Sequence, residues 1–211
     1  MIWVCNPKAA PLPEAANEAQ DVSQSFPSKI HRGGTAEALR KELLLGSVRR
    51  LLFIGHADAS QPGGPRTLGF VSEDGSMSVA PNEVLARMFG ASAPANGGRL
   101  ELVFINGCCS EPLGKLLRQH GVPVVVCWRT RSEDAAARIF SIAFFDALEK
   151  TGDHRRAFKE AESSVCTATK PGKLTCGIAS GVTKYELRDP DAPPASSTTT
   201  APAGIPVLLS D

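Results

Sequence analysis

The sequence predicts an α/β fold, a mostly parallel central sheet flanked by helices. Three observations carry it. The chain opens by alternating short apolar runs with helical patterns, strand–helix–strand–helix–strand, which is how parallel sheets are built. Residues 51–56 and 102–109 each start as a continuous apolar run and stop at a glycine beside a reactive side chain. Runs of this length bounded by breakers belong to strands buried on both faces. Finally, the β-branched run 122–128 is followed by a long amphipathic pattern over 133–150.

Taken in order, residues 2–5 form a first strand ended by Asn6-Pro7, and residues 14–25 a helix with Ala15, Ala19 and Val22 on one side. A short strand at 28–31 closes at Arg32-Gly33-Gly34. Thr35 is an N-cap, because its hydroxyl can accept from an otherwise orphaned N–H, and Ala38, Leu39, Leu43 and Leu45 follow at helical spacing. Gly46 ends that helix and Arg50 leads into the strand that finishes at His56. Residues 60–65, rich in Gly and Pro, are a loop. Asp74-Gly75 marks a hairpin turn between strands at 67–72 and 76–79. A helix opens at Pro81 or Asn82 and runs to Phe89, and a loop at 90–98 precedes the strand 100–106. Beyond the cysteine pair come a short helix at 112–120, the strand 122–128, and helices at 133–150 and 154–168. Residues 174–180 fit a small edge strand and 184–188 a weaker one. From Asp189 the chain is largely Pro, Ala, Ser and Thr, too poor in large apolar groups to repay its ordering entropy. The expected organisation is one domain over 1–188 and a structureless tail over 189–211.

Composition narrows the function classes. A net charge of +1 provides no bulk attraction to nucleic acid or acidic lipid. No stretch approaches the ~18 consecutive apolar residues of a membrane helix. The N-terminus has no basic region and meets Pro7 early, so no signal peptide is expected and the cytoplasm is the default location. The six cysteines include no Cys-x-x-Cys pair and no finger-like His spacing, so no metal site is expected. Cys5 and Cys127 fall inside strand-like runs and read as inert buried thiols. Cys166 and Cys176 could approach each other, although a cytoplasmic setting disfavours a bridge.

Ligands of parallel sheets sit at the carboxyl ends of the strands. If the strands ending at His56 and Cys108 are neighbours, a histidine and a cysteine meet there, the ingredients of a cysteine nucleophile and its base. The two positions are 108 − 56 = 52 apart, and in caspases the histidine lies about 50 residues upstream of the cysteine. Gly55 and Gly107 would leave room for a substrate backbone.

From Ile2 to about Ser164 the sequence resembles the CHAT domain, a caspase-like family in the clan of separases and metacaspases. Leu12-Pro13-Glu14-Ala15-Ala16-Asn17-Glu18-Ala19 looks like its early acidic helix. Leu52-Phe53-Ile54-Gly55-His56 is similar to its histidine strand, although that strand is usually followed by Gly where this chain has Ala57. Leu68-Gly69-Phe70-Val71-Ser72-Glu73-Asp74-Gly75 resembles its hairpin, and Val103-Phe104-Ile105-Asn106-Gly107-Cys108 its cysteine strand. Gly121-Val122-Pro123-Val124-Val125-Val126, Asp134-Ala135-Ala136 and Phe144-Phe145-Asp146-Ala147-Leu148 are similar to the strand and helix that follow.

The resemblance implies a caspase-like fold and a cysteine endopeptidase acting on protein or peptide substrates with no metal or organic cofactor. Cys108 would be the nucleophile and His56 the base, with the main-chain N–H groups of Ala57 and Cys108 holding the oxyanion. Cys109 offers a second thiol; family register favours Cys108, and in extended chain only one of two successive side chains can face His56. Asp134 corresponds to an acidic residue that recognises a basic P1 side chain in related members. The same Ser132-Glu133-Asp134 run could instead cap the long helix, with Arg129 and Arg131 near enough to neutralise it. CHAT domains often belong to larger proteins with helical repeats, which this chain lacks, and that implies a regulatory partner, an activator or autoinhibitor, on another chain or on a deleted segment. A catalytically silent interaction module of the same fold is the alternative. A flavodoxin-like nucleotide site is disfavoured, since no Gly-x-Gly-x-x-Gly follows the first strand and Gly33-Gly34 and Gly63-Gly64 read as turns.

Overall fold

A computed structural model describes residues 1–60, 64–170, 183–193 and 200–211. Its centre is a six-stranded sheet in the order β11-β7-β6-β3-β1-β2. The strands are β1 (Ile2–Val4), β2 (Ile30–Arg32), β3 (Arg50–Ile54), β6 (Leu102–Asn106), β7 (Val124–Trp128) and β11 (Pro206–Leu209). All neighbours run parallel except β11, which lies antiparallel against β7. The expected fold class is therefore the one observed.

Side-chain alternation along these strands sorts the core into two layers. Ile2, Val4, Leu52, Ile54, Phe104, Val126 and Trp128 face helices α1 (Ala15–Ser25), α5 (Asp134–Thr151) and α6 (His154–Thr167). Trp3, Cys5, Leu51, Phe53, Val103, Ile105, Val125 and Cys127 face α2 (Ala36–Leu44), α3 (Asn82–Ala91) and α4 (Glu111–Gln119). A strand side chain points to alternate faces, so continuous apolar runs are what a sheet covered on both sides requires. Phe104 forms edge contacts with Phe140 and Phe144 of α5, fixing that helix on the sheet. Thr35 caps α2 as expected, its Oγ1 accepting from Ala38 N at 3.2 Å.

Peripheral pairs complete the described chain. Strands β4 (Gly69–Val71) and β5 (Met77–Val79) form the antiparallel hairpin expected around Asp74-Gly75. Strands β8 (Thr169–Lys170), β9 (Thr183–Glu186) and β10 (Ala201–Pro202) make a small second sheet. The expected edge strand at 174–180 and Cys176 lie outside the described residues, as do positions 61–63 of the Gly- and Pro-rich loop. Among the described residues no helix is long and apolar enough to cross a membrane.

One expectation is corrected. Residues 200–211 are not a structureless tail, because Pro206–Leu209 pairs residue for residue with β7, from Pro206↔Trp128 to Leu209↔Val125. The polar composition of 189–205 hid a short apolar run after it. Without β11, β7 would present an open row of N–H and C=O groups. Ala201 and Ala203, also in the stretch read as tail, are buried.

Candidate active site

The chain turns at the carboxyl ends of β1, β3, β6 and β7 converge on one cleft. Its lining comprises Leu12, Glu14, Ala15 and Glu18 after β1, Gly55 and His56 after β3, Gly107 and Cys108 after β6, and Ser132, Asp134 and Ala137 after β7. The strand order explains the place. From β1 the chain goes to β2 on one side of the sheet, then crosses to β3 on the other, and such a reversal opens a crevice.

Parallel pairing puts Ile54 opposite Asn106, so His56 and Cys108 stand two residues beyond the same rung of adjacent strands. The sequence-predicted pair is thus brought to one cleft. Asp134 shares it, whereas Cys109 does not line it. Cys109 is the one non-glycine with positive φ among the described residues, at 55°. That turn lets its N–H donate to Thr130 O at 2.9 Å and leaves its sulfur under the influence of Arg66 rather than His56.

His56 is held on two sides. Its Nε2 lies 2.8 Å from Ala10 O. A carbonyl can only accept, so Nε2 carries the proton and Nδ1 is the basic nitrogen of the neutral ring. Asp58 Oδ1 stands 3.7 Å from Nδ1, a charge contact longer than a hydrogen bond. Asp58 is the main cause that raises the His56 pKa above the ordinary value; burial opposes it and the Ala10 carbonyl adds to it. Reciprocally, His56 holds the Asp58 carboxyl below its usual range.

Cys108 Sγ lies 3.5 Å from Ser132 N, whose N–H points toward it, and 3.8 Å from Ser132 Oγ. Among the described residues the main-chain N–H groups of Ala57 and Cys108 have no protein partner. Gly55 is needed by the protein itself, since a Cβ there would meet Phe53 Cε1 at 2.9 Å and Cys5 Cβ at 3.0 Å. Room for a substrate is not what that glycine provides.

Asn106 ties the strand ends together. Its Nδ2 donates to Glu18 Oε1 at 2.6 Å and to Ala137 O at 3.3 Å, and its Oδ1 accepts from Trp128 Nε1 at 2.7 Å. Ser110 Oγ accepts from Trp128 N at 3.0 Å, fixing the turn after the cysteines to β7.

The cleft is acidic. Glu18 is 4% exposed, and burial pushes its carboxyl up to about 7. Burial, then the neighbouring Glu133, also raises Asp134. Glu14 is paired with Arg138, which also binds Asp21. The two readings of the 132–134 run divide between two residues: Glu133 caps α5, its Oε2 accepting from Ala136 N at 2.9 Å, while Asp134 lines the cleft. Arg129 and Arg131 pair with Glu111 and Asp191.

A CHAT domain family model matches residues 3–192. The chain belongs to the CHAT domain family. Comparison with curated proteins gave no match. The CHAT family is caspase-like and related to cysteine peptidases, and this member carries His and Cys at the ends of the two adjacent central strands.

Sequence reading of this CHAT domain missed Ala10, Asp58, Glu18 and Ser132. Glu18 had a usable signal: with Ala15, Ala19 and Val22 it completes the i, i+3, i+4, i+7 positions of the buried face of α1. Asp58, two residues beyond His56, had only that proximity. Ala10 and Ser132 act through the main chain, which composition does not mark.

Cys5 and Cys127 are fully buried, and burial pushes each thiol up to about 12, as inert core thiols should be.

Proposed function

We propose that this CHAT domain is a cysteine endopeptidase hydrolysing peptide bonds in protein substrates, with Cys108 as nucleophile and His56 as base. The observation that carries the reading is the equal register of the two residues on adjacent parallel strands, in one cleft, with the main-chain N–H groups of Cys108 and of Ala57 next to His56 unpartnered among the described residues. His56 Nδ1 takes the thiol proton and the sulfur attacks the substrate carbonyl carbon. The N–H groups of Ala57 and Cys108 stabilise the oxyanion. The imidazolium returns its proton to the departing amine as the C–N bond breaks, leaving a thioester. Water then attacks the thioester, giving its proton to His56, and the carboxylate product leaves as the thiol is restored. These steps need no metal or organic cofactor.

The acidic lining supports cleavage after a basic P1 residue. Asp134 stands free of helix capping and Glu18 lies buried beside it in the same cleft, so an Arg or Lys side chain would supply the missing positive charge. A protein or peptide substrate and a regulatory protein partner complete the proposal, with the cytoplasm as the setting.

A silent interaction module is the second reading. One observation favours it: both ring nitrogens of His56 face other partners, Ala10 O and Asp58. A peptidyl electrophile with Arg at P1 tests the two together with a fluorogenic P1 panel. Labelling of Cys108, abolished by Cys108→Ala, is expected. No labelling under any activating condition supports the silent module, and equal cleavage after Asp and Arg overturns the P1 assignment.

A further inference from the structure

We propose that the C-terminal segment 203–205, with Gly204 at its centre, is a positioning element for Cys108: it holds the 129–133 loop so that Ser132 N–H is aimed at the Cys108 sulfur. This rests on the reading of Cys108 as the nucleophile.

The loop is bonded on two sides. Toward the nucleophile turn, Thr130 O accepts from Cys109 N at 2.9 Å, and Ser132 N lies 3.5 Å from Cys108 Sγ. Toward the C-terminal segment, Arg129 N donates to Ile205 O at 2.9 Å, Glu133 N donates to Ala203 O at 3.2 Å, and Thr130 Oγ1 accepts from Ile205 N at 3.0 Å. The segment is itself anchored. Ala203 N donates to Glu186 O at 2.8 Å, Gly204 N donates to Arg188 O at 3.0 Å, and β11 begins immediately after it on β7. Tyr185 OH reaches Glu133 Oε2 at 2.9 Å from the same side. The loop that shapes one wall of the cleft is therefore clamped between the cysteines and a stretch remote in sequence.

Gly204 is the point of leverage. Its φ is +100°, where side chains are strained. A Cβ there would stand 2.5 Å from Arg131 O and 3.0 Å from Ser132 Cα. Arg131 O and Ser132 N belong to one rigid peptide unit. Any side chain at 204 must displace that carbonyl, and the same motion turns the N–H away from the sulfur. The N–H aimed at the sulfur holds it in the orientation from which it attacks.

The test is alkylation of the full chain by iodoacetamide, resolved by site with mass spectrometry. Cys108 is followed in the parent, Gly204→Ala and Gly204→Val, with exposed Cys166 of α6 as the internal reference. At pH 7 the Cys108 rate is expected to fall about ten-fold in Gly204→Val, the order of losing one hydrogen bond that positions the sulfur, and less in Gly204→Ala. The Cys166 rate is expected to stay constant. A purely structural role gives the opposite sign, because a loosened loop exposes Cys108 and speeds its alkylation. An unchanged or faster Cys108 rate overturns the proposal. Should Gly204→Val fail to fold, Thr130→Val removes both the acceptor for Ile205 N and the hydroxyl that donates to Arg131 O at 2.9 Å; a fall of about two-fold or more is expected, and no fall overturns the proposal. The readout is separable from peptidase activity, since the ratio of variant to parent rates decides it even for a chain that cleaves nothing. A parent Cys108 no faster than Cys166 would count instead against the nucleophile assignment.

Discussion

Gly107 sits so close to the end of β3 that a Cβ on it would stand 2.4 Å from Gly55 O and 2.8 Å from Ala57 Cβ. Two strand ends that carry a histidine and a cysteine are thus packed main chain against main chain. A side chain at Gly107 would wedge them apart, whereas one at Gly55 would press on Phe53 and Cys5 instead.

Gly107→Ala is expected to destabilise the fold by about 1–3 kcal/mol, the usual cost of overpacking where backbone must move. It should also cut reaction of Cys108 with a peptidyl electrophile, because His56 and Cys108 no longer share a register. Chemical denaturation with parallel labelling measures both. A variant with parental stability and labelling would show that the close approach is dispensable.

Asp58→Asn is expected to lower the titration midpoint of His56, followed by its ring protons in NMR. His56 is raised in the folded state, chiefly by Asp58. Its contribution to stability is full below the unfolded histidine value of about 6.5 and is lost as pH rises through the higher folded value. Asp58 is depressed, so its contribution is present above the unfolded value of about 3.9 and is lost as pH falls through the lower folded one. The variant should therefore lose stability mainly between about pH 4 and 6.5, and little at pH 8. A His56 midpoint that does not move would remove Asp58 from the site.

Glu18→Gln tests the buried carboxyl. Burial pushes Glu18 up to about 7, above its ordinary value of 4.5. A raised acid opposes folding once ionised, so the parent's stability should fall as pH rises from about 4.5 toward 7 and level off above it. The glutamine variant should lack that decline, a difference of roughly 3 kcal/mol at most at pH 8. It should also weaken any preference for Arg over neutral residues at P1. Parallel stability–pH curves for the two chains would mean that Glu18 is better compensated than its burial implies.

What the sequence made legible follows from which forces act locally. The uninterrupted apolar runs 51–54 and 102–105 mark two-faced burial, and Asp74-Gly75 marks its hairpin, because each depends on neighbours in the chain. That His56 and Cys108 meet was conditional on their strands being neighbours, and the pairing of Ile54 with Asn106 supplies that condition and the register. By contrast, Ala10 and Ser132 contribute a carbonyl and an amide, groups that every residue carries, so only the folded path of the chain selects them. β11 was missed because its partner, the open edge of β7, exists only once the sheet is assembled. Asp134 could be separated from capping only by seeing Glu133 bind Ala136 N.

The choice between adjacent thiols gives the last prediction. Cys109 holds φ at 55°, a conformation glycine adopts without cost, and it lies outside the cleft that contains Cys108 and His56. Cys109→Gly should relieve the left-handed strain and stabilise the fold by about 1 kcal/mol while leaving Cys108 labelling intact. Cys108→Ser should abolish labelling even though Cys109 remains. Burial raises the Cys109 thiol, which disfavours its thiolate and points the same way. Thermal denaturation and site-resolved mass spectrometry of the two variants measure these outcomes. Loss of labelling in Cys109→Gly, with Cys108→Ser still modified, would transfer the nucleophile to Cys109 and require the 108–109 turn to flip before attack.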